Sequence, residues 1–374
     1  MQDFINISWG YKERDICFFL PVIFSSKFDI GFKPIALNYP LYIIQMLLVA
    51  EKIKCIIYLS YHLTITILAG GTGSIKLVRG LAAIEKNIVV ISNVGDNIWL
   101  YGLYVCPDID TLIYGLADLL DKNRGWGLKG DSFHCLGQMK KIGLPTWFGL
   151  GDKDLAMHLL RTSMIKEGKS LSETTNFFTK RYSINAQIIP ATDREMSTRI
   201  VTTRRGEMHL QEFWVKYHGR LKIRDIRYES ACSALANPAA IDAIERCRAV
   251  LIAPGNPVSS IGPITALPNL REQLARNRQK VIAISPLIGK KAVSGPAVKY
   301  MRALGLENSS VGVAKYYREF VSKFVMSSED RDMKSQIDAL DMEVYHTNIT
   351  MKARKDEVRL GRYLLNLIKR KIES

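Results

Sequence analysis

Residues 65–110 constrain the fold more than any other stretch of the chain. They read ITILAGGTGSIKLVRGLAAIEKNIVVISNVGDNIWLYGLYVCPDID. The β-branched apolar run Ile65 to Leu68 has the length and composition of a buried strand. It stops at Ala69-Gly70-Gly71-Thr72-Gly73, after which Ile75, Leu77, Val78, Leu81, Ala82 and Ile84 recur at helical spacing. A second buried-strand run, Ile88 to Ile91, stops at Asn93-Val94-Gly95-Asp96-Asn97. Strand, glycine turn, helix, strand opens a doubly wound, Rossmann-like, mainly parallel α/β sheet. Glycine has no Cβ, so backbone N–H groups approach an anion closely there. The helix that follows adds unpaired donors and about half a positive charge. The carboxyl ends of neighbouring strands open onto one crevice, which places Asp96 beside the same phosphate. The turn reads G-G-T-G, neither G-x-G-x-x-G nor a P-loop, and alone it also fits a tight connection without a ligand. The acids downstream, Asp96, Asp108 and Asp110, favour a site.

The chain has 374 residues, enough for two domains or one large α/β domain. Its formal net charge of +16 favours anionic partners. The excess is dispersed, with one dense basic run at Lys369-Arg370-Lys371 and no basic block with interleaved aromatics, which argues against nucleic acid. Cys17, Cys55, Cys106, Cys135, Cys232 and Cys247 form no C-x-x-C pair or zinc spacing, so reduced thiols and a cytoplasmic home are expected.

Residues 1–62 carry apolar clusters too short to span a bilayer. Three readings stand: a peripheral anchor, an extra domain, or residues outside the native protein or without order. The last is favoured, which leaves 63–374 as the α/β domain with a helical and β-rich insert at about 123–228. A helix is expected over Thr111–Asp121, with Asp110 as its N-cap or as a functional acid. Trp126, in the glycine-rich loop 123–130, either covers a planar ligand or packs on the surface. Asp152 is read as the N-cap of a helix from Leu155 to Glu167, on which His158 and Arg161 share a face and are more often solvated or structural than catalytic. Ser170-Leu171-Ser172-Glu173 is a capping box. Arg204-Arg205-Gly206 reads as a hairpin turn, followed by rough strand-like alternation from Glu207 to Val215. The α/β rhythm resumes with Ala249–Ala253 and Lys280–Ser285, whose Gly/Pro/Asn/Ser ends gather polar loops at one sheet edge.

From Ile65 to Leu367 the chain resembles the 2-phospho-L-lactate transferases of deazaflavin coenzyme (coenzyme F-420) biosynthesis. The matching pieces are AGGTGSIKL (69–77), NVGDN (93–97), GLYVCPDIDTLIYGLADLLD (102–121), RGWG (124–127), WFGLGDKDLAMHLLRT (147–162), PATDREMST (190–198), HLQEFWVKYH (209–218), APGNPVSSIGPI (253–264), SPLIGKKAVSGPA (285–297) and GVAKYYREF (312–320). The resemblance implies transfer of a phospholactyl group from lactyl-2-diphospho-5'-guanosine, or of its enolpyruvyl counterpart, to the ribityl hydroxyl of a deazaflavin, with release of GMP. It implies Mg²⁺ as cofactor and a homodimer. Asp96 and Asp110 match the motif positions for catalysis and, with Asn97, for the metal. Gly70, Gly71, Thr72 and Gly73 would cradle phosphate, with Asp108 close by. Asn256, Ser260, Ser285 and Gly289 are candidates for the guanosine-diphosphate end, and Trp126 and Asp152 for the flat deazaflavin. Three positions depart from the pattern: Asn97 stands for a second aspartate, Gly255 for a serine, and Arg194 for an acid. Asparagine keeps an oxygen ligand and loses the charge, which predicts weaker Mg²⁺ binding. The rival classes are a nicotinamide-dependent oxidoreductase, which would need a fuller glycine fingerprint, and a non-catalytic nucleotide- or membrane-surface-binding module.

Overall fold

The computed structural model describes residues 64–293 and 295–369, all within one compact unit. The expectations for residues 1–62, and for Cys17 and Cys55, lie outside the described residues. The chain opens with β1 (Ile65–Ala69), α1 (Gly71–Ala82) and β2 (Ile88–Ser92), followed by a hairpin of β3 (Ile98–Leu100) and β4 (Leu103–Val105) and by α2 (Pro107–Leu116). Next come α3 (His134–Lys141), α4 (Asp152–Lys166), α5 (Leu171–Arg181), β5 (Gln187–Pro190), β6 (Ser197–Thr202), β7 (Gly206–His209) and β8 (Ile223–Glu229). The second half runs α6 (Pro238–Arg246), β9 (Ala249–Ile252), α7 (Gly262–Thr265), α8 (Pro268–Arg276), β10 (Val281–Ile284), β11 (Leu287–Ile288), β12 (Lys291–Ala292), α9 (Ala297–Ala303) and α10 (Ser310–Tyr317). It closes with β13 (Lys323–Ser327), α11 (Lys334–Asp338), β14 (Glu343–Thr347) and α12 (Arg354–Lys369).

Seven strands form one sheet in the order β14-β13-β10-β9-β1-β2-β5, every pair parallel. Helices cover both faces, so the strands are apolar without alternation. Ile65, Ile67 and Leu68 are fully buried, each contributing about 1.5–3 kcal/mol. The chain steps from β1 to β2 and β5 in one direction, then returns through β9 in the other. The switch lies between β1 and β9, where such sheets open a crevice at their carboxyl ends. Among the described residues no helix is long and apolar enough to cross a membrane.

The insert is three helices plus the antiparallel sheet β7-β6-β8. β5, expected inside it, is instead the edge strand of the main sheet, paired with β2. Alternation past Glu207 stops at His209, and residues 212–216 form a π-helical turn instead of strand. α2 starts four residues earlier than expected because Pro107 takes its first position, a place where a missing N–H costs nothing. The capping box at Ser170 and Glu173 is present on both sides.

α12 packs directly on α1. A Cβ on Gly80 would run into the Glu357 backbone, and Gly361 sits across from Gly80. The buried Arg79 guanidinium grips the Glu357 carboxylate through two nitrogens, with Nε at 3.2 Å from Oε2.

Candidate functional site

The crevice at the β1/β9 switch is a cleft. It is lined by Gly70 to Gly73, Gly255, Asn256, Ser259 and Ser260, together with Asp96, Leu210, Gln211, Trp214, Gly295, Pro296 and Tyr300. Gly71 has φ of 71°, a left-handed conformation that glycine takes without strain. A Cβ on Gly70 would come within 2.8 Å of the Asn93 side chain, of Asp108 Oδ2 and of the Ser260 carbonyl. Both glycines are therefore required for the turn to pass between β2 and the β9–α7 loop. The N-cap residue Gly70 offers no capping side chain and no acid stands in the first turn of α1, so the one carboxylate that meets its positive end is Asp108, through Gly71 N. Among the described residues, the cleft lining contains no lysine or arginine, despite the chain's +16 charge.

Two carboxylates stand at the end of this turn, held by one amide. Asn93 Nδ2 donates to Asp96 Oδ1 at 3.0 Å, to Asp108 Oδ2 at 2.8 Å and to the Ser259 carbonyl at 3.2 Å. Gly95 N donates to Asn93 Oδ1 at 2.8 Å, which fixes the amide's orientation. Asp108 Oδ1 accepts from Gly71 N at 2.8 Å, and Asp96 Oδ2 accepts from Gln211 Nε2 at 3.2 Å. Neither acid forms an ion pair with a described residue. Burial, then repulsion from Asp108, pushes the Asp96 carboxyl well above its ordinary 3.8. Burial pushes Asp108 up to about 6 against its bonds to Asn93 and Gly71.

Asp110 is absent from the cleft lining. Residues two apart on a helix do not share a face, so Asp108 and Asp110 leave α2 in different directions. Asp110 meets Arg161 of α4, which donates Nη1 to Oδ2 at 3.0 Å and Nη2 to Oδ1. His158 Nδ1 lies 3.2 Å from Arg161 Nη1, and Tyr114 Oη donates to Asp154 Oδ1 at 2.5 Å in the same buried cluster. His158 and Arg161 are 1% exposed, so they are not solvated.

The other candidates also sit apart from the cleft. Asn97 donates its amide to Tyr104 Oη at 3.3 Å, and its Oδ1 is buried without a hydrogen-bond partner. Trp126 lies against Gly149, with Arg124 over its ring at 5.2 Å. Asp152 is not the N-cap of α4, which is Gly151. Its carboxylate instead accepts from Ser132 Oγ, His134 N and Cys135 N, tying down the start of α3. Ser285 bonds Ser310 Oγ at 2.9 Å, and Gly289 N donates to Asp330 Oδ1 at 2.7 Å, a satisfied network that braces the β11–β12 hairpin. The cleft thus brings together Gly70–Gly73, Asp96, Asn256 and Ser260, with Asp108 bonded behind them.

Asn93, Gln211, Trp214 and Tyr300 complete the site and escaped the sequence reading. Gln211 and Trp214 stand in HLQEFW, whose alternation suggested ordinary strand. A π-helical turn has no comparable sequence signal. Tyr300 is 1% exposed and lines the cleft, its hydroxyl kept neutral by burial and then by Asp96.

His209 anchors the Gln211 segment. Gln211 N donates to His209 Nδ1 at 3.1 Å, so the ring proton is on Nε2, 3.1 Å from the Asn97 carbonyl. Burial pulls its pKa from 6.5 down to about 4. A histidine held neutral contributes stability fully above 6.5, and that contribution is lost as pH falls towards 4. His209→Gln is expected to shrink the stability loss between pH 7.5 and 4.5 by roughly 2 kcal/mol, read from urea midpoints. An unchanged acid dependence would remove this role.

The family model described as 2-phospho-L-lactate transferase CofD matches residues 65–362. The 2-phospho-L-lactate transferase of Methanosarcina mazei is 40% identical over 71% of this chain and 87% of its own length. That of Methanopyrus kandleri is 39% identical over 82% of this chain and 98% of its own. Among solved structures, a Bacillus halodurans member of the upf0052 family superposes with a TM-score of 0.54 at 15% identity, covering 81% of this chain and 98% of that one. At that identity the likeness speaks to the fold alone.

Proposed function

We propose a function from the premise that this chain belongs to the 2-phospho-L-lactate transferase CofD family and is a transferase enzyme. The transferred group is phospholactyl, or its enolpyruvyl counterpart, and the donor is the guanosine-diphosphate-linked acid. The acceptor is the ribityl hydroxyl of a deazaflavin, in coenzyme F-420 biosynthesis. The hydroxyl oxygen bonds to the phosphorus that carries the acid. The P–O bond to the bridging oxygen breaks, and GMP leaves with that oxygen. Membership of a transferase family sets aside the oxidoreductase and binding-module readings.

One observation carries the reading: two carboxylates without an ion-pair partner among the described residues, clamped by Asn93, beside a glycine turn in a cleft whose described lining has no basic side chain. Phosphoryl transfer is mostly positioning and charge neutralisation. The turn's N–H groups and the α1 dipole would hold the diphosphate. Asn256 and Ser260 face it from the β9 side. Asp96, which lines the cleft, orients the attacking hydroxyl and takes its proton. Asp110 and Arg161 act from behind, fixing α2 and so Asp108.

The residues fit Mg²⁺. Among the described residues no group of three or more His, Cys, Asp or Glu is placed to hold a metal. Mg²⁺ characteristically takes one or two carboxylates plus substrate phosphates, and unrelieved repulsion between Asp96 and Asp108 is what a cation would remove. Asp96 and Asp108 would hold it, and it supplies charge neutralisation at the diphosphate. Asn97, with its amide turned to Tyr104, is outside this set. The same premise supports a cytoplasmic homodimer, which light scattering after size exclusion checks for the oligomeric state.

The test combines purified protein, Mg²⁺, deazaflavin and the lactyl donor, with GMP and phospholactyl-deazaflavin followed by mass spectrometry. Product is expected, and EDTA is expected to abolish it. Mg²⁺ alone is expected to raise the thermal midpoint at pH 7.5 and to do so less at pH 5.5, where Asp108 is largely protonated. Silence from folded protein with both the lactyl and the enolpyruvyl donor would sink the assignment.

A further inference from the structure

We propose that the outer face of α12 is a docking surface for an anionic lipid bilayer. The inference is independent of the transfer chemistry. Among the described residues, the cleft lining holds none of the chain's excess positive charge, so that charge acts elsewhere on the molecule. α12 gathers part of it on one side. Lys355, Arg359, Arg362, Asn366 and Lys369 follow one another at steps of four, three, four and three residues, which keeps them on one helical face. The opposite face, with Leu360, Gly361, Leu364 and Ile368, is buried. The helix carries two acids, and neither stands on the stripe. Glu357 is buried, and Asp356 accepts from the backbone N–H groups of Lys352 and Ala353 at the helix start.

The stripe is held in place while its outward charges stay unpaired. Arg359 donates Nη1 to the Asn348 carbonyl at 2.6 Å and Nη2 to the Thr350 carbonyl at 2.9 Å, which pins α12 to the loop after β14. Tyr363 Oη donates to the His346 carbonyl at 3.3 Å. Arg354, beside the stripe, pairs with Glu357 at 3.0 Å. Lys355, Arg362 and Lys369 are exposed and form no ion pair with a described residue.

A groove of about 560 Å³ runs along these side chains, and every residue lining it belongs to α12. A groove with one wall fits an extended surface laid along it, not an enclosed small molecule. Protein interfaces place apolar and aromatic residues at their centre and charge at the rim, whereas the centre of this stripe is charged. A second copy would set the stripe against itself, cation on cation. A nucleic-acid duplex is held through about six to ten phosphates, and the stripe offers four cations over about 21 Å. Anionic headgroups require no apolar centre, and they attract each Lys or Arg near the bilayer separately. Tyr363, half-buried beside the cations, is a residue type that settles at a bilayer interface. Attachment through so few charges is reversible and salt-sensitive, since stable anchoring takes a second signal.

Co-sedimentation of the full chain with phosphatidylglycerol vesicles, and with phosphatidylcholine vesicles as the neutral counterpart, tests the assignment. Wild type is expected to partition onto the anionic vesicles only, and to leave them as salt rises from about 0.1 M to about 1 M. Lys355→Gln/Arg362→Gln removes two exposed charges that hold nothing in the fold, and is expected to weaken partition about twentyfold, at about fivefold per charge. Lys140→Gln/Lys141→Gln removes the same charge from the exposed end of α3, and is expected to weaken it less than about threefold. Both pairs are expected to keep the wild-type melting point. Wild type that ignores the anionic vesicles, or an equal loss in the two variant pairs, overturns the proposal. So does a short nucleic-acid duplex that binds through Lys355 and Arg362 more tightly than the vesicles do.

Discussion

Asp96→Asn is expected to cut transfer by about a hundredfold to ten-thousandfold while raising the melting point in metal-free buffer. The two effects share a cause. Asp96 is held above 3.8 by burial and by Asp108, so the folded protein resists its ionisation. Asparagine keeps the shape, removes the charge and ends the repulsion. A gain of about 2–4 °C follows for each kcal/mol relieved. The pH dependence has a definite sign. A carboxyl raised in the folded state binds more protons there than in the unfolded chain, so stability falls as pH rises from 3.8 through the folded value, about 6 for Asp108. Asp96→Asn removes part of that decline, and Mg²⁺ opposes it in the wild type alone. Calorimetry at pH 5 and 7.5, with and without Mg²⁺, reads all three. A variant that keeps turnover within tenfold would end the role given to Asp96, whatever its melting point. Site preorganisation at a cost in stability is common where activity needs a strained or charged constellation.

Arg161→Met is expected to cause the largest loss of stability, about 3–5 kcal/mol, because it leaves Asp110 charged and buried without its partner. The guanidinium also packs over Phe178 at 5.6 Å and reaches the Tyr104 carbonyl at 3.4 Å. The double variant Asp110→Asn/Arg161→Met is expected to regain most of the loss, since replacing a whole buried pair costs far less than breaking one. Its activity separates two roles for Asp110. Turnover near wild type in the stable double variant makes Asp110 a brace for α2, and turnover as low as in Asp96→Asn makes it a participant in chemistry. Urea denaturation and GMP release on the same preparations give both answers.

The fold was legible where local and global signals agree. β1, β2, β9 and β10 are apolar runs that end in loops carrying glycine or proline, and such short runs suit strands covered on both faces. β5 was less visible because its pairing with β2 is a long-range fact that QIIP does not carry. At the site, the glycine turn and Asp96 were legible because their chemistry is local to the turn. The difference between Asp108 and Asp110 depended on where α2 begins. An N-terminus at Thr111 leaves both acids in a loop, free to converge, whereas an N-terminus at Pro107 turns them to different sides. Asn93 was hidden in plain view within NVGDN, since a buried amide that clamps two acids looks like any strand-end asparagine until both acids are placed. Asp152 had the right chemistry for a cap and the wrong helix, because the helix it serves precedes it in the chain.

The crossing of α12 over α1 ties the first element of the site to the last element of the chain. Arg79 and Glu357 are separated by 278 positions, yet their ion pair and the Gly80–Gly361 contact form the back of the helix that follows the glycine turn. During synthesis the glycine turn leaves the ribosome early, with its rear face bare and its helix unsupported. The helix behind the turn therefore gains this packing partner only after α12 has emerged, so the last element made completes the support of the first.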